Sequence, residues 1–149
     1  MRRLIGFLIV LAVLAGIGVA VILAVKPAFA EAWFPGAYAD HHRELVKERF
    51  TVLAGHVVRG EVDQCVPFAD PEFVKANGTN LTKALFAPYL FWAKLGRLGE
   101  ADVRIDRITV GPDRKTAEVE YSLRHGGGWH AQKQPMKWLR AGGQWYLGG

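Results

Sequence analysis

From Leu4 to Val25 the chain carries no charged residue, no strongly polar side chain and no Pro. No other feature constrains the fold as much. As a helix this run rises about 33 Å, enough for the roughly 30 Å hydrocarbon layer of a bilayer. Arg2 and Arg3 precede it and Lys26 follows it. Positive charge on the short leading tail holds that side in the cytoplasm. The expected layout is a cytoplasmic tail (1–3), a transmembrane helix (4–25), a linker (26–37) and one folded domain (38–149). That places a single-pass protein in the cytoplasmic (inner) membrane, with its domain periplasmic or extracellular. Trp33, Phe34 and Tyr38 follow the run and suit the headgroup layer.

A cleaved signal peptide is the rival, since Ala28-Phe29-Ala30 before Glu31 is a small-x-small site. Apolar signal cores run to roughly 7–15 residues, and this one is far longer, which favours retention. No Cys follows the run to take a lipid, and no Glu sits early in it as in a type IV pilin. Within it Ala12, Gly16, Ala20 and Ala24 recur every fourth residue. Small side chains on one helix face let a second helix approach closely, so this stripe is a candidate packing face; an Ala-rich chain also yields such spacing by composition. The run holds no His, Asp, Glu or Lys, so it offers no usual axial ligand, proton relay or ion path.

The 149 residues suffice for one domain plus this element. The formal charge of +5 overstates the domain's character, because Arg2, Arg3 and Lys26 flank the apolar run. Elsewhere Lys and Arg alternate with Asp and Glu. Without a basic stripe, nucleic acid is not an expected partner. The single cysteine, Cys65, excludes an internal disulfide and a thiolate metal cluster; a lone Cys beside Val66 and Phe68 reads as buried.

Pro27, Pro35 and Gly36 punctuate the linker, and helical periodicity begins near Tyr38. Val46, Phe50, Leu53 and Val57 form one apolar stripe, ended by Gly60. Glu61 to Phe68 predicts a short second helix. Asp70-Pro71-Glu72 is a helix start with Asp70 as N-cap, and Asn77-Gly78 closes that piece. Leu81 to Leu95 predicts a further helix, with a kink or break at Pro88. Its Leu85, Tyr89 and Trp92 share a stripe. After Gly96 and Gly99 the period becomes alternating. Val103 and Ile105 fall out of phase with Ile108 and Val110, which predicts a β-bulge near Asp106-Arg107. Thr116 to Arg124 alternates cleanly, and Trp129 to Arg140 reads as one long third strand. Glycine turns at 126–128 and 142–143 separate these strands and a last one over Gln144 to Leu147. Helices followed by an antiparallel meander give an α+β class.

Gly60-Glu61, Asp70-Pro71-Glu72-Phe73 and the ending Trp138-Leu139-Arg140-Ala141-Gly142-Gly143-Gln144-Trp145-Tyr146-Leu147 resemble the NTF2-like (cystatin-like cone) superfamily over about residues 38–149. The resemblance implies N-terminal helices packed in a curved antiparallel sheet of about four strands, with a pocket at the mouth of the cone. It leaves function open, because the superfamily hosts enzymes, binding modules and scaffolds. One anchor followed by such a domain is similar in architecture to VirB8-like subunits of type IV secretion systems and to Mce-associated membrane proteins.

Superfamily enzymes place acids, His or Tyr inside the cone, and the ketosteroid-isomerase-like pattern has no match here. No catalytic residue and no cofactor is expected. His130, Gln132, Gln134, Met136 and Trp138 share one face of the third strand, and Tyr121 supplies a polar tip on the second. These six are the candidate ligand-binding residues. His41-His42 lacks the spacing and the third ligand for a metal, and reads as solvated or touching headgroups. Asn77-Gly78-Thr79 and Asn80-Leu81-Thr82 match the glycosylation sequon, which only a secretory-pathway eukaryote would use. Trp129 and Tyr146 are candidate protein contacts.

Two functions follow as expectations. The first is a non-catalytic accessory or assembly subunit of a secretion, lipid-transport, respiratory or photosynthetic membrane complex. Its partners would be other subunits, held through the span and the sheet face, or a second copy forming a homodimer. The second is an anchored small-molecule-binding or enzymatic module using the cone.

Overall fold

A computed structural model describes residues 35–148 of the chain. The apolar run Leu4–Val25, its small-residue stripe, Trp33 and Phe34 lie outside the described residues. No described helix is long and apolar enough to cross a membrane. The chain divides into two units after Asp40, and the larger, His41–Gly149, holds the sheet and the core. Of the smaller, residues 35–40 are the opening turns of the first helix.

Helix α1 spans Pro35–Arg59. Val46, Phe50 and Leu53 on its apolar stripe are buried, as their spacing requires. Gly60, at φ +75°, ends it: the Gly60 N–H bonds the Val57 carbonyl at 3.1 Å and the Glu61 N–H bonds the His56 carbonyl at 2.9 Å. That pair of bonds is a Schellman closure, and the left-handed conformation explains the glycine. Helix α2 (Val62–Cys65) continues as a 3-10 turn over Val66–Phe68. Cys65 is fully buried, its thiol aimed at the Glu61 carbonyl 3.5 Å away.

Helix α3 spans Pro71–Leu95. Asp70 caps it, accepting the Glu72 N–H at 3.0 Å, with Pro71 in the first turn. Gly78, at φ 76° and ψ 167°, interrupts it, and its carbonyl accepts the Thr82 hydroxyl at 2.8 Å. This is the close expected at Asn77-Gly78; at Pro88 the backbone dihedrals stay helical, so there is no break there. Pro88 and Ala84 one turn before it are exposed, so water can serve the carbonyl that Pro leaves without a donor.

Strands β1 (Val103–Val110), β2 (Thr116–His125), β3 (Gly128–Ala131), β4 (Met136–Ala141) and β5 (Gln144–Leu147) form one antiparallel sheet. Its order is β1-β2-β4-β5, with β3 also paired to β2. The β1–β2 register slips between Ile105 and Arg107, the bulge that the phase change predicts. Ile105 opposes Tyr121, Ile108 opposes Val119 and Val110 opposes Ala117, so the slip keeps the apolar residues on one face. The Ser122 hydroxyl bonds the Asp106 carboxylate beside the bulge, and with Arg104 it lowers that carboxyl's pKa.

The third strand is not continuous. β3 pairs with Ser122–His125 and β4 with Thr116–Val119, so the two lie end to end along β2. Pro135, which has no N–H for a ladder, stands in the break, and the Gln132 N–H bonds the Tyr121 carbonyl at 2.9 Å. The sheet therefore has five strands, where about four were expected.

Trp138 and Trp145 are buried at the centre of the core with Phe50, Phe86 and Val119. His42 is buried too, its ring edge-on to Trp145 with centroids 5.8 Å apart, which corrects its reading as a solvated residue. His41 is exposed. Arg49 ties α1 to the far end of the sheet: its Nε donates to the Trp145 carbonyl at 3.0 Å and its Nη2 to the Pro67 carbonyl at 3.1 Å, with the guanidinium 4.3 Å over the Phe68 ring.

Candidate functional site

Between α1, α3 and the inner face of the sheet lies a cavity of about 630 Å³. It falls within the roughly 300–1,000 Å³ of small-molecule sites. Phe50, Leu53 and Val57 line it from α1; Phe86, Tyr89 and Trp92 from α3; Tyr121, Leu123 and Met136 from the sheet. The alternation of β2 turns Tyr121, Leu123 and His125 to the cavity side, continuing the buried pair Ala117 and Val119. Ala54 on α1 and Ala93 on α3 line the cavity with no bulk to fill it.

The polar groups are few. Burial, together with the nearby Tyr89 phenol, pushes the Tyr121 hydroxyl up to about 12. It is therefore a neutral donor at physiological pH, inside an apolar wall. His125 and Gln132 stand at the mouth. The His125 ring stacks on His130, with centroids 4.0 Å apart and planes 14° from parallel. His130 Nε2 donates to the His125 carbonyl at 3.2 Å, and Gln132 Nε2 donates to the His130 carbonyl at 3.3 Å. Among the described residues, no Asp, Glu, Lys, Arg or Cys lines the cavity. The lining offers apolar contact, a phenol, an imidazole and an amide, which is a set for holding a molecule in one orientation.

Of the six candidate ligand residues, Tyr121, Gln132 and Met136 line the cavity together. His130 opposes Leu123 across β2–β3, so it is on the cavity face, and it reaches the rim through His125. Gln134 is exposed in the break between β3 and β4, away from the lining. Trp138 is fully buried in the core opposite Ala117, and is not part of the lining. Its indole N–H has no hydrogen-bond partner among the described residues, nor has that of Trp145.

Trp129 is exposed on β3, with the Arg104 guanidinium 4.5 Å and that of Arg124 5.6 Å from its ring centre. Tyr146 is half-buried on β5, 5.6 Å from the Arg49 guanidinium. Tyr38 is in the first turns of α1. The outer face of the sheet is ion-paired, through Arg104 with Asp106, Arg107 with Glu120 and Arg124 with Asp102. Ala12, Gly16, Ala20, Ala24, Trp33 and Phe34 lie outside the described residues.

Sequence reasoning missed Tyr89, Trp92 and His125 as wall residues. Leu85, Tyr89 and Trp92 share a stripe by their spacing; all three are exposed and the latter two edge the cavity. His125 follows Leu123 by two positions, so extending the β2 alternation by one step was the signal that finds it. No known family model, curated protein sequence or solved structure matches this chain.

Proposed function

We propose that this chain is a single-span, membrane-anchored module of the NTF2-like kind that binds a small, mostly apolar molecule with one hydrogen-bond-accepting end. The observation that carries this reading is the cavity of about 630 Å³, walled by Phe50, Leu53, Phe86 and Leu123 and holding the neutral Tyr121 phenol. Such a site gains affinity from apolar burial and orientation from its few polar groups. Helices first and a five-stranded antiparallel sheet last, with the space between them, support the NTF2-like assignment. The apolar run Leu4–Val25 supports the anchor. The lining supports retention of the molecule rather than its conversion, since among the described residues no carboxylate lines the cavity to share a proton transfer with Tyr121 or His125. The reading as an assembly subunit held through the sheet draws less support, because the β1–β2 part of its outer face presents paired charges where an interface needs an apolar centre.

Mass spectrometry of small molecules carried by the purified full chain in lipid nanodiscs tests this. Wild type retains a species that Ala54→Phe, which fills the cavity, loses at least tenfold, and Tyr121→Phe weakens its retention without abolishing it. Equal retention of every species by wild type and Ala54→Phe contradicts the reading.

A further inference from the structure

The second half of α3 has an outward face that the domain does not cover. Leu81, Leu85, Tyr89, Phe91, Trp92 and Leu95 are all exposed, the last three by about 60% each. At about 100° per residue all six fall on one half of the helix surface. They form a continuous apolar strip, unlike the scattered single exposures of an ordinary surface.

The charge that this stretch of the chain carries has one sign. From Phe73 to Gly99 the sequence has no Asp or Glu, but it has Lys75, Lys83, Lys94 and Arg97. Lys83 pairs with Asp63. Lys94 and Arg97, next to the most exposed part of the strip, are in no ion pair among the described residues. Apolar aromatics and Leu on one face, with basic residues and no acid contributed by the stretch Phe73 to Gly99 itself, make the pattern of a helix that lies in a membrane interface. Trp and Tyr favour the headgroup layer, and Lys and Arg favour anionic lipid phosphates. The tether adds to this. On the anchored reading, residues 26–34, between the apolar run and α1, reach at most about 30 Å even when extended, which keeps the start of α1 within that reach of a bilayer.

We propose that this face of α3 seats on the headgroup layer of an anionic phospholipid bilayer. Phe91, Trp92 and Leu95 enter the acyl boundary, and Lys94 and Arg97 meet the phosphates. The seating rests on the anchored-domain reading and not on the ligand-binding one. Trp92 and Leu95 also line the cavity. Seated this way, the cavity opens towards lipid, and an apolar molecule passes between bilayer and cavity without crossing water; this last step rests on the ligand-binding reading.

Full chain bearing Phe91→Cys, labelled with an environment-sensitive fluorophore, tests the seating. Cys65 is fully buried and stays unlabelled, and Phe91 does not line the cavity. The reference label is at Glu118→Cys, exposed on the sheet. Chains are placed in vesicles of phosphatidylcholine alone or with one part phosphatidylglycerol to two parts phosphatidylcholine, containing acyl-brominated lipid as quencher. The proposal expects the label at 91 to be quenched at least threefold more than the label at 118 in anionic vesicles. Lys94→Glu with Arg97→Glu, or high salt, removes at least half of that difference. Equal quenching at the two positions in a chain that floats with the vesicles overturns the seating alone. A chain that floats with neither vesicle overturns the anchored reading and the seating together. Shielding at 91 that is equal in neutral lipid and accompanied by chain-to-chain cross-linking through Phe91→Cys assigns the face to a second copy and overturns the proposal.

Discussion

Phe50 of α1 and Tyr121 of β2 meet ring to ring, with centroids 5.3 Å apart and planes tilted by 55°. The pair joins the first helix to the longest strand, and both rings face the cavity. The ring contact helps to bury Tyr121, and that burial raises its hydroxyl's pKa. An aromatic pair of this kind adds about 0.5–1.5 kcal/mol beyond the area it buries.

The buried phenol makes stability fall in alkali. Tyr121 ionises near 10 when unfolded and near 12 when folded. Between those values the unfolded chain holds fewer protons, so stability declines as pH rises through that window. The loss attributable to this residue reaches about 2 kcal/mol. From pH 9 to 12 the urea midpoint of wild type should fall relative to that of Tyr121→Phe. Parallel curves would show that the phenol is not shielded. Absorbance at 295 nm should show one of the four tyrosines ionising last.

Cys65 should be unreactive while the chain is folded. Burial, aided by the Glu61 carboxylate, pushes its thiol up to about 11, and the thiolate is the nucleophile. Alkylation at pH 8 should be at least a hundredfold slower than in denaturant, and its rate should track unfolding. Fast native-state labelling would place the thiol at the surface.

Arg49 should not tolerate Lys. Its planar fork reaches the Trp145 and Pro67 carbonyls at once and covers the Phe68 ring. Burial lowers its pKa from the ordinary value, so the group is already partly stripped of water. A Lys ammonium is a point donor and cannot reproduce that geometry. Arg49→Lys should cost about 1–2 kcal/mol in a urea titration, and Arg49→Ala at least as much. A loss below the error of the titration for Arg49→Lys would show that the two carbonyl contacts contribute little.

Gly78 should resist replacement for a backbone reason alone. A Cβ there meets nothing within 4 Å, but φ 76° with ψ 167° is a region that L side chains rarely adopt. Gly78→Ala should cost about 1–3 kcal/mol. An unchanged urea midpoint would mean that α3 straightens at no cost.

Much of this fold is legible in the sequence because the signals are local. The stripe Val46, Phe50 and Leu53, the cap at Asp70 and the bulge at Asp106 each follow from residues a few positions apart. The failures involve partners distant in sequence. Trp129 to Arg140 looks like one strand until Pro135 is weighed against the need for a ladder donor beside β2. His42 is buried because Trp145, at the other end of the chain, covers it. Leu85, Tyr89 and Trp92 share a stripe, but spacing does not say whether that face meets the sheet. For the site, the residues that fill an inner face are readable: Tyr121, Gln132 and Met136 do line the cavity. The volume itself is not, because its walls come from α1, α3 and the sheet, which are far apart in sequence.

The most direct measurement is photolabelling of the full chain in nanodiscs with a diazirine-bearing medium-chain alkyl probe, the adducts mapped by peptide mass spectrometry. Binding in the cavity predicts adducts on inner-wall peptides carrying Tyr121 and Met136, saturable by unlabelled probe and lost in Ala54→Phe. Adducts confined to the apolar run Leu4–Val25 and the exposed face of α3, with Tyr121 and Met136 untouched, would contradict it.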